Sequence, residues 1–199
     1  MSSVKKIQKV DVAPMSQVLY HAFQQDAMNH WLFGDQTTYA QHGPAFYQAC
    51  IDYCRLYGAA WRIEQADAVI LWIRPKDSTK NLWRLWRSGM LTMAWRLPKA
   101  VRQRLMQLDQ SLQAHRNNIM GHQPHWYCWV LGVAPSAQGQ GLAGPLMQAG
   151  LDQANANGLP VYLEAATKKA EAIYQKWGFI TEQTVEIVPG VSIGLMVYA

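Results

Sequence analysis

"APSAQGQGLAGPLM", residues 134–147, sets three glycines and no acidic side chain between an apolar run and a segment of helical periodicity. Such a stretch either cradles an anion on exposed backbone N–H groups or makes an ordinary strand-to-helix turn relieved of crowding. As strand, loop and helix, Gln138-Gly139-Gln140-Gly141-Leu142-Ala143 would point several amides and the positive end of a helix dipole at one spot, where a pyrophosphate fits. Small residues at Gly139, Gly141 and Ala143 matter there, because a larger side chain would hold phosphate oxygens away from the donors. A P-loop would need Gly-Lys-Ser/Thr where Gly144-Pro145-Leu146 stands. Gly139, Gly141 and Gly144 also satisfy the dinucleotide-binding string, and Glu164 comes close to the ribose-binding acid expected about 20 positions on. That fold, however, opens with this unit and continues through parallel strands. Here the unit lies in the last third of 199 residues and a hairpin follows it.

Working outward, "HWYCWVLGV" before the loop is apolar on both alternating faces, as in a central strand covered on both sides. After the loop, Leu142, Leu146, Met147, Gly150, Leu151 and Ala154 form one helical face, with Asn157-Gly158 as a stop. "LPVYLEA" reads as another buried strand, Thr167 as the cap of a short helix ending at Gly178, and 179–199 as a hairpin about Pro189-Gly190. Toward the N-terminus, "VKKIQKV" predicts a strand, 13–33 a helix with Pro14 in its first turn, and 37–58 a second helix closed by Gly58. "AAWRIEQADAVILWIRP" predicts two antiparallel strands about a turn near Ala66-Asp67, ended by Pro75. The expected fold class is α/β in a single domain over 1–199, with a basic helical insertion at about 76–123. From Lys76 to Arg116 nine Lys or Arg stand against Asp77 and Asp109, so the insertion has a character of its own.

Composition bounds the function. A net charge of +5 favours anionic ligands in general, from a phosphorylated cofactor to nucleic acid or anionic lipid, and cannot choose among them. No apolar run approaches the roughly 20 residues of a membrane span, and the opening lacks a signal-peptide core, so a cytoplasmic protein without a membrane span is expected. Cys50, Cys54 and Cys128 and six scattered histidines lack metal-ligand spacing, so no metal site is expected.

Residues 125–179 resemble the acetyl-CoA-binding core of the GCN5-related N-acetyltransferases. That family's Gln/Arg-x-x-Gly-x-Gly/Ala signature is matched by Gln138, Gly141 and Ala143. A strand ending like Leu131-Gly132-Val133-x-Pro135 precedes it, and a Tyr-x-x-x-Gly-Phe element, Tyr174 to Gly178-Phe179, follows. The Asn that family members often carry four to six residues before that Tyr is replaced here by the region of Lys168, Lys169 and Ala170. The resemblance implies a mixed, mostly antiparallel sheet flanked by helices, and acetyl transfer from acetyl-CoA to an amine. It implies cofactor binding by Leu131, Gly132, Val133, Gln138, Gly139, Gln140, Gly141, Leu142, Ala143 and Tyr174. It also implies that the strand of Val130–Val133 splays from "PVYLEA", and that one of its amides stabilises an oxyanion.

Under that reading Tyr174 is the candidate acid for a departing thiolate, and Glu164 or His125 the candidate base, directly or through water. The bland alternatives are an aromatic packed on the sheet and polar residues satisfied at strand ends. Trp83, Trp86, Met90, Met93 and Trp95 are expected to pack on the core or line the acceptor entrance; a membrane-surface helix or a nucleic-acid patch is the alternative. The expected partner is a small-molecule amine acceptor, with no nucleic acid and a homodimer left open. Thirteen scattered acidic residues mildly disfavour a strongly cationic acceptor. A family member that binds acyl-CoA without turnover is a further alternative.

Overall fold

The computed structural model describes residues 3–64, 67–75 and 81–199. Its strands are β1 (Val4–Lys6), β2 (Ala59–Ile63), β3 (Ala68–Ile73), β4 (Trp126–Val133), β5 (Val161–Ala165), β6 (Ile180–Val188) and β7 (Val191–Tyr198). They form one sheet in the order β1-β2-β3-β4-β5-β7-β6. Only β4 and β5 are parallel neighbours, so the expected mixed, mostly antiparallel sheet is what forms.

Helices cover both faces because the inner strands are apolar on both. Val69 and Leu71 point into one cluster with α1 (Val12–Ala22), α3 (Gln36–Tyr57) and α5 (Met90–Arg96). Ala68, Ile70 and Trp72 point the other way, against α7 (Ala143–Ala156). The α7 face read from the sequence, Leu146, Met147, Gly150, Leu151 and Ala154, is the buried one. Gly150 is there for space: a Cβ on it would lie 2.0 Å from the fully buried Trp72 ring. A third cluster joins Tyr127 and Tyr162 to Leu108 and Met120 of α6 (Lys99–Met120), over the half of the sheet that ends in the β6–β7 hairpin.

Two expectations need correction. The first strand stops at Lys6, and a 3-10 turn over Lys9–Asp11 takes the rest. The helix read across 13–33 is two, α1 and α2 (Ala27–Phe33). Asp26 breaks it: its backbone is extended and its carboxylate accepts from Asn29 N–H, the hydrogen bond of a new N-cap. Apolar periodicity runs on through such a break because both helices bury the same side. Of the β2–β3 turn near Ala66-Asp67, Ala66 lies outside the described residues, as does the insertion's start at 76–80. From residue 81 the insertion is helical, as α4 (Leu82–Arg87), α5 and α6.

Candidate active site

The sheet is opened at its middle. β4 pairs with β5 over Trp126, Tyr127 and Cys128 and no further, although β4 runs on to Val133. A bulge falls at the same place. Leu71 of β3 faces Val130 and Trp72 faces Cys128, so Trp129 is an extra residue on β4. An extra residue bends its strand and sharpens the local twist, which accounts for β4 leaving β5 there. Beyond Cys128 the β5-facing edge of β4 has backbone polar groups and no strand to pair with.

The 134–147 loop stands at the end of that free edge. Gly139 and Gly141 have φ of +79° and +74°, a region costly for any residue with a Cβ, and no heavy atom lies within 4 Å of where a Cβ would sit. Their requirement is therefore conformational, with open space in front of the loop. Among the described residues the amides of Gly139 through Ala143 find no acceptor in the protein. Five unspent donors around the start of α7 suit an anion. Gln138 donates from Nε2 to Val133 O at 3.1 Å, tying the loop to the end of β4, and Gln140 reaches Ser136 O at 3.4 Å. Gly132 has a packing reason of its own, since a Cβ there would lie 2.6 Å from Leu19 of α1.

A cavity of about 910 Å³ fills the gap between the strands. Leu131 and Gln138 line one end, Tyr174 and Ala170 of α8 (Lys168–Lys176) lie beside them, and Glu164 and His125 line it too. All three residues named from the sequence for chemistry thus meet in one cavity. Gly132, Val133 and Gly139 to Ala143 lie outside its lining.

Glu164 ends β5 among groups that sequence reasoning missed. Burial pushes its carboxyl up to about 7, against the opposing pull of the Tyr127 phenol, the Arg116 guanidinium and the Tyr162 phenol. Both phenols lie close to the carboxyl, although among the described residues its buried Oε1 and the buried Tyr162 hydroxyl are in no hydrogen bond of good geometry. Arg116 stacks over the Tyr127 ring at 4.6 Å. The signals were present in principle. Tyr127 lies two residues after His125, just inside β4, and Leu105, Asp109, Leu112 and Arg116, all in the lining, recur at helical spacing along α6. Nothing in the sequence set that helix opposite β4.

His125 has Nδ1 2.8 Å from Gln123 O, so Nδ1 carries the proton and Nε2 is left as acceptor. Burial holds its pKa below the usual 6.5, keeping it neutral. Tyr174 packs on Trp177 and Phe179, with ring centroids 5.8 and 5.9 Å away, and burial lifts its phenol well above the ordinary value. It is a proton donor at any neutral pH. Thr167 caps α8 by accepting from Ala170 N–H at 3.1 Å. Where the family often has an Asn, Lys168 pairs with Glu171 at 2.7 Å and Ala170 lines the cavity.

The insertion departs from expectation in part. Of the residues named there, Met90 and Met93 of α5 line the cavity, together with Ala94, Leu85 of α4 and the α6 stripe. Trp83, Trp86 and Trp95 do not: they are 60, 57 and 78 % exposed. Short helices have two sides, and the inner one is taken by Leu and Met.

Residues 104–179 match the profile of the Acetyltransferase (GNAT) family. That stretch, less than half of the chain, is similar to the family. The matched stretch runs from within α6 through the splayed pair and the glycine loop to just past α8. An uncharacterised N-acetyltransferase of Schizosaccharomyces pombe is 23 % identical over 131 residues, 64 % of this chain and 53 % of that one. Mycothiol acetyltransferase of Streptomyces avermitilis is 44 % identical over 59 residues, 28 % of this chain and 19 % of that one. The chain therefore spans about half the length of the first of these and a fifth of the second. Among solved structures, a polyamine N-acetyltransferase of Drosophila melanogaster that forms N-acetylagmatine superimposes with a TM-score of 0.66 at 14 % identity, covering 99 % of each chain. No described helix is long and apolar enough to cross a membrane.

Proposed function

We propose that the chain is an acetyl-CoA-dependent N-acetyltransferase acting on a primary amine of a small acceptor. The observation that carries this is the gap opened by the parting of β4 and β5, whose cavity is lined by both Tyr174 and Glu164, a carboxyl that burial pushes up to about 7. The similar proteins, an N-acetyltransferase and a polyamine N-acetyltransferase that forms N-acetylagmatine among them, support an amine as acceptor.

The donor fits the residues present. The free amides of Gly139 to Ala143 would hold its pyrophosphate, and the unpaired edge of β4 near Leu131, Gly132 and Val133 would hold the amide-bearing arm. When bound, acetyl-CoA supplies an acetyl group activated as a thioester. An amine is nucleophilic only when neutral, so a base near pH 7 is the first need. Glu164 meets it, because its side chain lines the cavity in which the amine would sit. Its pKa sits close to working pH, where a base is both ionised enough and basic enough. His125, neutral and with Nε2 free, is the second candidate. Tyr174 delivers the proton to the departing thiolate. Its raised pKa does not disqualify it, because the same burial would raise a thiolate beside it. The protein's larger contribution is positioning amine and thioester across the splayed strands.

Calorimetry with acetyl-CoA tests the donor site. The parent should bind, and Gly141→Asp, which puts a side chain and a negative charge among the donors, should not while remaining folded. Equal binding by a folded Gly141→Asp would contradict the assignment.

A further inference from the structure

We infer that the outer face of α4, α5 and the start of α6 is a docking surface for an anionic phospholipid bilayer, with the acceptor cavity opening onto it. The inference stands apart from the acetyl-donor reading, because it rests on surface composition and on where the cavity opens.

Three tryptophans, Trp83, Trp86 and Trp95, are more than half exposed, and Leu82 and Met106 are exposed at 75 and 61 %. Trp83 and Trp86 lie against each other, tilted, with centroids 4.9 Å apart, one turn from each other on α4. Leaving indoles in water costs free energy, and exposed aromatic and aliphatic side chains concentrated in one inserted segment are a feature of interaction surfaces. Among the same residues Arg87, Arg96 and Lys99 are exposed. From Asn81 to Leu108 there is no Asp or Glu at all. Trp with Arg and Lys on one side of short amphipathic helices is the composition of an interfacial segment: indole rings settle at the headgroup level, and cations meet lipid phosphates. Charge complementarity favours an anionic bilayer, and the apolar indoles favour a bilayer over a nucleic acid's phosphate backbone.

Leu91 and Met106 belong both to the exposed apolar set and to the cavity lining, so the cavity has its mouth at this face. Leu85, Met90 and Met93, on the inner side of the same helices, form its wall. An amine partitioned into the headgroup region would reach that mouth without crossing bulk water.

Co-sedimentation with vesicles of phosphatidylcholine alone, and of equal parts phosphatidylcholine and phosphatidylglycerol, tests this with the full chain. The parent should pellet with the anionic vesicles, with a blue shift of tryptophan emission and weaker binding at high salt. The combined change Trp83→Ser, Trp86→Ser, Trp95→Ser should abolish pelleting and the shift. Arg87→Gln, Arg96→Gln, Lys99→Gln should weaken binding about a hundredfold at low salt. All six side chains lie outside the cavity lining, so Tm and acetyl-CoA affinity should stay at the parent's values in both variants. The proposal is overturned if the parent ignores anionic vesicles, or if both variants bind them as the parent does. It is equally overturned if duplex DNA displaces the vesicles at matched phosphate, or if the parent forms a dimer that the tryptophan variant dissolves and shows no vesicle binding.

Discussion

Burying the Glu164 carboxyl costs the folded state most when the group is charged. Its folded pKa of about 7 lies above the ordinary 4.5, so the folded chain holds this proton more tightly than the unfolded one. Its contribution to stability is best below about pH 4.5 and worsens as pH rises to about 7. Glu164→Gln should therefore raise Tm above pH 7, with the gain shrinking as pH falls toward 4.5, as thermal melts across pH would show. Turnover should move the other way. A base must be ionised, so kcat/KM of the parent should climb through about pH 7. In Glu164→Gln it should fall by roughly 10²-fold or more and lose that limb. A retained limb would pass the role to His125 or to water. Tyr174→Phe keeps the ring against Trp177 and Phe179 and deletes only the phenol. Fold and acetyl-CoA affinity should survive while kcat drops by about 10²-fold, and a kcat within a factor of about two of the parent's would remove Tyr174 from the chemical step, provided chemistry limits the rate.

At the scale of elements, two glycines separate shape from conformation. Gly150→Ala would drive a methyl into the Trp72 ring between α7 and β3, and neither the helix nor a fully buried indole can yield far. A loss of about 1–3 kcal/mol or more in urea unfolding is expected. Gly141→Ala meets no neighbour and pays only for a left-handed backbone, about 1–2 kcal/mol. The strand-loop-helix unit, the Thr167 cap and the C-terminal hairpin could be read in advance because each is specified locally, by periodicity, by one capping side chain or by Pro189-Gly190. The Asp26 break could not, since the same apolar spacing continues across it. Tyr127 and Arg116 could not either. Their relation to Glu164 depends on α6 crossing over β4 and β5, a tertiary placement to which Arg116's own neighbours in sequence give no clue. The outward turn of Trp83, Trp86 and Trp95 was hidden for the same reason, because composition does not say which side of a short helix meets the core.

Across the whole molecule, a bulge at Trp129, a free strand edge and a buried carboxyl converge on one gap in an otherwise continuous sheet, and the unspent amides at 139–143 stand at the end of that free edge. The gap interrupts strand pairing at the middle of the molecule, a place where a sheet built only for stability would pair throughout. It is filled by the cavity, and the cavity is lined by both halves of the sheet and by the inserted helices. The central claim is that acetyl transfer to an amine occurs in this gap. Release of free thiol from acetyl-CoA, followed across a library of primary amines with parent, Gly141→Asp and Glu164→Gln in parallel, tests it most directly. Amine-dependent thiol release by the parent is expected, with an acetylated amine as the matching product, and its loss in both variants. Amine-independent release, or equal rates in the parent and the two folded variants, would contradict it.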